Sequence, residues 1–157
     1  MLSLIADKTK LITLATLILA LSHIYGLSEP VAYLKTEKTY PGTYEVIVVN
    51  VYDGDTLTVE IPVFPSIIGE NIGIRLDGID TPEMTDKRLD IKAKAIAAKQ
   101  FVKDQVNAAE KVEITDLKRD KYFRIDARIL IDGKDLNQML LQEGLAKPYD
   151  GGTKSPW

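Results

Sequence analysis

Five short runs of β-branched and aliphatic residues, four of them closed by a turn carrying glycine or proline, constrain this chain more than any other feature. Residues 44–51 (YEVIVVNV) read as a strand, and Asp53-Gly54 is a hairpin turn signal. Residues 56–61 (TLTVEI) alternate polar and apolar as a return strand, and residues 62–69 read as a loop. A third strand covers residues 72–79, where Gly73 and Gly78 predict sharp curvature or close packing, and Asp80-Thr81-Pro82-Glu83 breaks it. Residues 112–114 form a short fourth strand. Residues 125–131 form a fifth, running into the turn Asp132-Gly133.

Between the third and fourth strands the period changes. Ile91, Ala95, Ala98, Phe101, Val102, Val106 and Ala109 recur at helical spacing and predict a helix over 90–110. Asp135 caps a second helix over 136–143 that ends at Gly144, and the Gly- and Pro-rich tail 148–157 is expected to be irregular. Strands that must bury both helices and that carry curving glycines favour a small closed barrel. The expected class is therefore α+β, mainly β: a five-stranded OB-fold barrel with two to three packed helices. Fold alone does not set function.

An N-terminal apolar helix is expected before it. Residues 11–28 (LITLATLILALSHIYGLS) carry no formal charge and follow Lys8 and Lys10. They read as a signal-peptide core or a short membrane anchor, with a buried core helix as the alternative. The expected organisation is residues 1–28 as signal or anchor, 29–41 as linker and 42–157 as the folded domain. The protein is then secreted or periplasmic, with membrane association through 11–28 if the segment is retained.

The chain of 157 residues has no cysteine, which excludes disulfides, thiolate metal sites and cysteine nucleophiles. Its single histidine, His23, lies in the apolar segment. Chemistry in residues 42–157 must therefore use carboxylates, Lys, Arg, Tyr or a hard metal ion. A net charge of −3 speaks against a dedicated high-affinity nucleic-acid binder but suits an enzyme that meets a polymer at one local cationic site.

Taken singly, Asp53 is a turn residue, Asp80 a cap, and Arg75 or Arg124 a surface ion-pair partner. Together they suggest more. Asp53 and Asp55 flank Gly54, while Asp80 and Glu83 sit where the third strand breaks. Carboxylates from Asp55 and Asp80 and a carbonyl near Thr81 suit a cation such as Ca²⁺, which takes oxygen ligands. Glu83 is placed to act on an attacking water. Arg75 and Arg124 offer two-pronged, permanently charged donors for a phosphate.

The strings VYDGDTLTV, IRLDGIDTPE, DKYFR and DGKDLNQMLLQEGLAKPYDGG occur in that order. Over residues 44–149 the chain resembles the staphylococcal (thermonuclease-type) nuclease family. That resemblance implies Ca²⁺ held by Asp55, Asp80 and the Thr81 carbonyl. It also implies Glu83 as base or positioner of the water, and Arg75 and Arg124 on the phosphate. Lys121 and Tyr122 would contact substrate, and Asp53 would support the metal loop from behind. The implied activity is sugar-nonspecific endonucleolytic hydrolysis of DNA or RNA leaving a 3′-phosphate and a 5′-hydroxyl, with no obligate protein partner. Where the family has Gly before the second arginine this chain has Phe123. That change leaves a second expectation open, a catalytically weak nucleic-acid-binding OB module.

Overall fold

The computed structural model describes residues 39–119 and 124–157, and all structural statements concern these. In chain order they form β1 (Thr39–Glu45), β2 (Ile47–Val51), β3 (Thr56–Glu60), α1 (Ser66–Gly69), β4 (Ile72–Leu76), β5 (Ile79–Asp80) and α2 (Leu89–Ala108). There follow β6 (Val112–Arg119), β7 (Ile125–Ile131), β8 (Lys134–Asp135), α3 (Leu136–Gln142) and β9 (Lys147–Pro148). The main sheet has the order β1-β6-β7-β4-β3-β2, with β8 added to β7 and with β4 and β7 parallel.

The first two strands are one strand bent at Val46, which is buried and donates its N–H to the Val112 carbonyl at 3.0 Å. One half pairs with β6 and the other with β3, so the bent strand joins both ends of the sheet order. The sheet thereby curls into the small mainly-β barrel of an OB-fold, as expected from the run of short strands. Bulges supply the curvature: the register slips at Val48/Asn50, Tyr40/Thr43 and Thr115/Lys118, the last beside Asp116 at φ 56°. Gly73, read as a point of sharp curvature or close packing, pairs regularly with Thr58, and nothing lies within 4 Å of where its Cβ would stand.

Alternation decides which side chains fill the barrel. Leu57 and Val59 on β3, Ile74 and Leu76 on β4, and Ala127 and Ile129 on β7 are all at most 1% exposed. Each buried Leu or Ile contributes about 1.5–3 kcal/mol. On α2 the residues Ile91, Ala95, Ala98 and Val102 form the buried stripe that the helical spacing predicted. On α3, Leu136 and Leu140 close one end of the core. Asp135 caps that helix by accepting from the Gln138 N–H at 3.1 Å, and Gly144 ends it at φ 67°.

Four details differ from the sequence reading. The first strand reaches back to Thr39, into the stretch read as linker. The loop 62–69 contains the single turn α1. The fourth strand runs eight residues, because pairing with both β1 and β7 extends it past its apolar start. The third strand is two pieces: after Leu76 the turn at Asp77 and Gly78 (φ 80°) leads to β5, which pairs with β9 in the tail instead of joining the main sheet. Among the described residues no helix is long and apolar enough to cross a membrane, and residues 11–28 lie outside them.

Gly54 shows how packing sets the loop between β2 and β3. Its φ is not left-handed, yet a Cβ there would stand 2.7 Å from the Ala98 Cβ and 2.9 Å from Thr81 Oγ1. The glycine is needed for room between the loop and α2. Gly54→Ala is expected to cost about 1–3 kcal/mol by overpacking. Urea unfolding checks this: a loss below about 0.5 kcal/mol would mean α2 retreats freely.

Candidate active site

Four separated stretches are brought to one face of the barrel by its pairing. The β2–β3 loop is closed by Tyr52 donating to the Thr56 carbonyl at 3.0 Å and by the Asp55 N–H donating to Asp53 Oδ1 at 3.0 Å. That local turn, with Gly54 wedged against α2, aims the Asp55 carboxylate inward. The Asp77–Gly78 turn is held by three contacts. Buried Asn137 donates to the Asp77 carbonyl at 2.6 Å, Lys118 pairs with the Asp77 carboxylate at 2.7 Å, and Tyr149 donates its N–H to the Gly78 carbonyl at 2.9 Å. So pinned, the turn delivers Asp80 and Thr81 beside Asp55.

Arg75 organises the centre. One guanidinium nitrogen donates to Asp55 Oδ1 at 2.6 Å, and the other reaches the Ile79 carbonyl at 3.3 Å and Asp80 Oδ1 at 3.4 Å. The other Asp55 oxygen accepts the Thr81 backbone N–H at 3.0 Å, and Thr56 Oγ1 donates to Asp55 Oδ1 at 3.1 Å. Asp55 and Asp80 are each only 4% exposed. Burial raises the Asp55 carboxyl above the ordinary carboxylate value; Arg75 pulls it down and Asp53 adds to the rise. Burial pulls the Arg75 guanidinium down, but Asp55, Asp80 and Asp126 outweigh it and hold the group charged.

These residues border a cleft of about 560 Å³ lined by Tyr52, Asp53, Asp55, Thr56, Arg75, Thr81, Glu83, Arg124, Asp126, Tyr149, Gly151 and Lys154. Of the sequence-predicted site residues, Asp53, Asp55, Arg75, Thr81, Glu83 and Arg124 share this cleft. Asp80 lies under it, tied in through Arg75. Glu83 is exposed on the cleft wall. Lys121 and Tyr122, predicted to contact substrate, and Phe123 lie outside the described residues.

Sequence reading missed Asp126 and Lys154. Asp126 stands opposite Arg75 in the parallel β4–β7 register and on the same strand face as Arg124, two residues before it. That parallel pairing was the signal, and only the tertiary order reveals it. Lys154 Nζ lies 2.8 Å from Asp80 Oδ1 and 2.6 Å from Glu83 Oε1. A lone lysine in a Gly- and Pro-rich tail carries no local signal.

The donor set suits a hard cation. The side chains there that can ligate a cation at neutral pH, Asp55 and Asp80 among them, offer oxygen. Among the described residues no group of three or more Asp, Glu or His side chains closes a metal cage, so two carboxylates would leave most positions to backbone, water and substrate oxygens.

The family described as staphylococcal nuclease homologue matches residues 73–155. Thermonuclease of Staphylococcus hyicus is 30% identical over 106 residues, covering 67% of this chain and 58% of that protein. Thermonuclease of Staphylococcus intermedius is 30% identical over 102 residues, 64% of this chain and 57% of that protein. Endonuclease YncB of Bacillus subtilis (strain 168) is 29% identical over 138 residues, 85% of this chain and 63% of that protein. The chain thus spans less than two thirds of the length of these relatives.

Proposed function

The chain belongs to the staphylococcal nuclease family, and from that premise we propose that it is a calcium-dependent, sugar-nonspecific endonuclease that hydrolyses phosphodiester bonds in DNA or RNA. The observation that carries the reading is convergence. Asp55, Arg75, Thr81, Glu83 and Arg124 come from distant parts of the chain and meet around one open cleft.

Asp55, Asp80 and the Thr81 carbonyl are the groups that would hold the cation. When bound, it supplies Lewis-acid polarisation of a phosphate oxygen. The protein's own groups do the rest. Glu83 takes a proton from the attacking water, whose oxygen forms the new bond to phosphorus. The bond to the 5′ oxygen breaks, and that oxygen gains a proton from solvent, leaving a 3′-phosphate and a 5′-hydroxyl. Arg124 and Arg75 face the charge that grows on the phosphate. Arg75 is engaged by two carboxylates, Asp55 and Asp80. Once those carboxylates are neutralised, the Arg75 fork would be free to turn to substrate.

Lys121 and Tyr122 belong to the same proposal as substrate contacts, with Asp53 supporting the loop through the Asp55 N–H. The lysine-flanked apolar residues 11–28 support export or membrane anchoring, and calcium is plentiful in such compartments. The test uses the purified full chain with single-stranded and duplex DNA and with RNA, in Ca²⁺, in Mg²⁺ and in chelator. Cleavage is expected with Ca²⁺ and none with chelator. Retained nucleic-acid binding without cleavage in any metal would replace this reading with a binding module.

A further inference from the structure

The tail beyond β9 is a strap across the acidic side of the cleft. The Tyr149 hydroxyl donates to the Gly152 carbonyl and the Gly152 N–H donates to Asp150 Oδ1, both at 3.0 Å, which turns the chain back on itself. Lys147 donates to the Pro156 carbonyl, and its ammonium stands 4.4 Å from the centre of the Trp157 ring. Trp157 Nε1 donates to Asp80 Oδ2 at 3.3 Å. Between these anchors Lys154 places its ammonium 2.8 Å from Asp80 Oδ1 and 2.6 Å from Glu83 Oε1.

The strap therefore engages both oxygens of Asp80, a carboxylate assigned to the cation, and bridges it to the carboxylate assigned to the water. A protein that buries Asp80 must neutralise it somehow. Arg75 contributes, but at 3.4 Å and shared with Asp55. Lys154 gives the closer charge.

We infer that Lys154 is a tethered competitor for the divalent cation, one that neutralises Asp80 and Glu83 in the cation-free protein and must be displaced, with its strap, before a cation reaches Asp80. The inference rests on the reading of Asp55 and Asp80 as cation ligands. It makes cation binding and strap release one event and raises the cation concentration the enzyme needs. An ammonium 2.8 Å from Asp80 Oδ1 and a divalent ion on the same carboxylate repel each other.

The experiment is a Ca²⁺ titration of the full chain, read by calorimetric heat and by tryptophan emission. Trp157 is the one tryptophan in the sequence, so emission reports on the strap directly. Wild type is expected to show an emission change with the same midpoint as the heat. Lys154→Met removes a like charge from the site and is expected to bind Ca²⁺ about tenfold tighter or more. Lys154→Arg keeps the charge and is expected to bind within about threefold of wild type, unlike Lys154→Met. The Lys154 side chain is 44% exposed, so neither change threatens the fold, and circular dichroism verifies this. If Lys154→Met binds Ca²⁺ no tighter than wild type, or if wild-type heat appears without any emission change, the competitor is overturned while the cation site stands. If neither protein binds Ca²⁺ or Mg²⁺, the cation site and the competitor both fall.

Discussion

Glu83→Gln is expected to lower the cleavage rate by about 10²–10⁴-fold, the range for loss of a general base, and to leave the fold and Ca²⁺ binding close to wild type. Among the carboxylates of the site, Asp55 and Asp80 are buried and hydrogen-bonded, whereas the Glu83 side chain is 60% exposed. A buried, paired carboxylate suits a ligand; an exposed one on the cleft wall can meet water. Glutamine keeps the shape and removes the proton acceptor. Its contact with Lys154 is a solvent-exposed pair and is worth little to stability. Single-turnover cleavage beside thermal unfolding and a Ca²⁺ titration separates the possibilities. A variant that cleaves at more than about a tenth of the wild-type rate would place the base elsewhere. Loss of Ca²⁺ binding would make Glu83 a ligand instead.

Arg75→Lys is expected to reduce kcat by about 10²–10³-fold, the cost of losing one well-aimed charged donor in the transition state, although the formal charge is unchanged. The fork of Arg75 spans two carboxylates and a carbonyl at 2.6–3.4 Å. A lysine is a point charge that cannot serve both acids at once. The substitution also leaves a nearly buried carboxylate short of a partner and should cost about 1–3 kcal/mol of stability in chelator. Added Ca²⁺ is expected to return part of that stability, since it binds the folded state through the same acids. Denaturant unfolding with and without Ca²⁺, together with kcat and KM, is the measurement. Full stability with normal kcat would show that the Arg75 fork is dispensable both to the buried acids and to the phosphate.

Several elements are legible in the sequence because their signals are local. The helix over 89–108 announces itself through Ile91, Ala95, Ala98 and Val102 at spacings of three and four, and those residues are its buried face. Asp135 and Gly144 bound α3 by the ordinary chemistry of caps. Asp132-Gly133 turns with both residues at positive φ, as a tight hairpin requires. Where local signals mislead, a distant partner has the deciding vote. The polar end of β6 is a strand because β7 pairs with it up to Arg119. Residues 79–80 leave the third strand because the tail offers β9 as a partner. Gly54 has the look of a turn glycine and proves to be a spacer against Ala98.

The same division runs through the site. Residue identity was legible, since a chain without cysteine and with one histidine outside residues 42–157 leaves oxygen ligands and arginine donors as the available chemistry. The order and spacing of DGD, Arg75, IDTPE and Arg124 marked the side chains that the fold places around one cleft. The composition of that cleft was not legible. Asp126 enters it through a parallel pairing between strands some fifty residues apart, and Lys154 enters it by a strap folding back over seventy residues onto Asp80 and Glu83. Periodicity, turn chemistry and motif spacing are written within a few residues of one another, so the sequence by itself determined the elements and the chemical repertoire. Which charges neutralise Asp55 and Asp80 depends on distances between segments that meet only when the barrel closes, and that the tertiary structure alone decided.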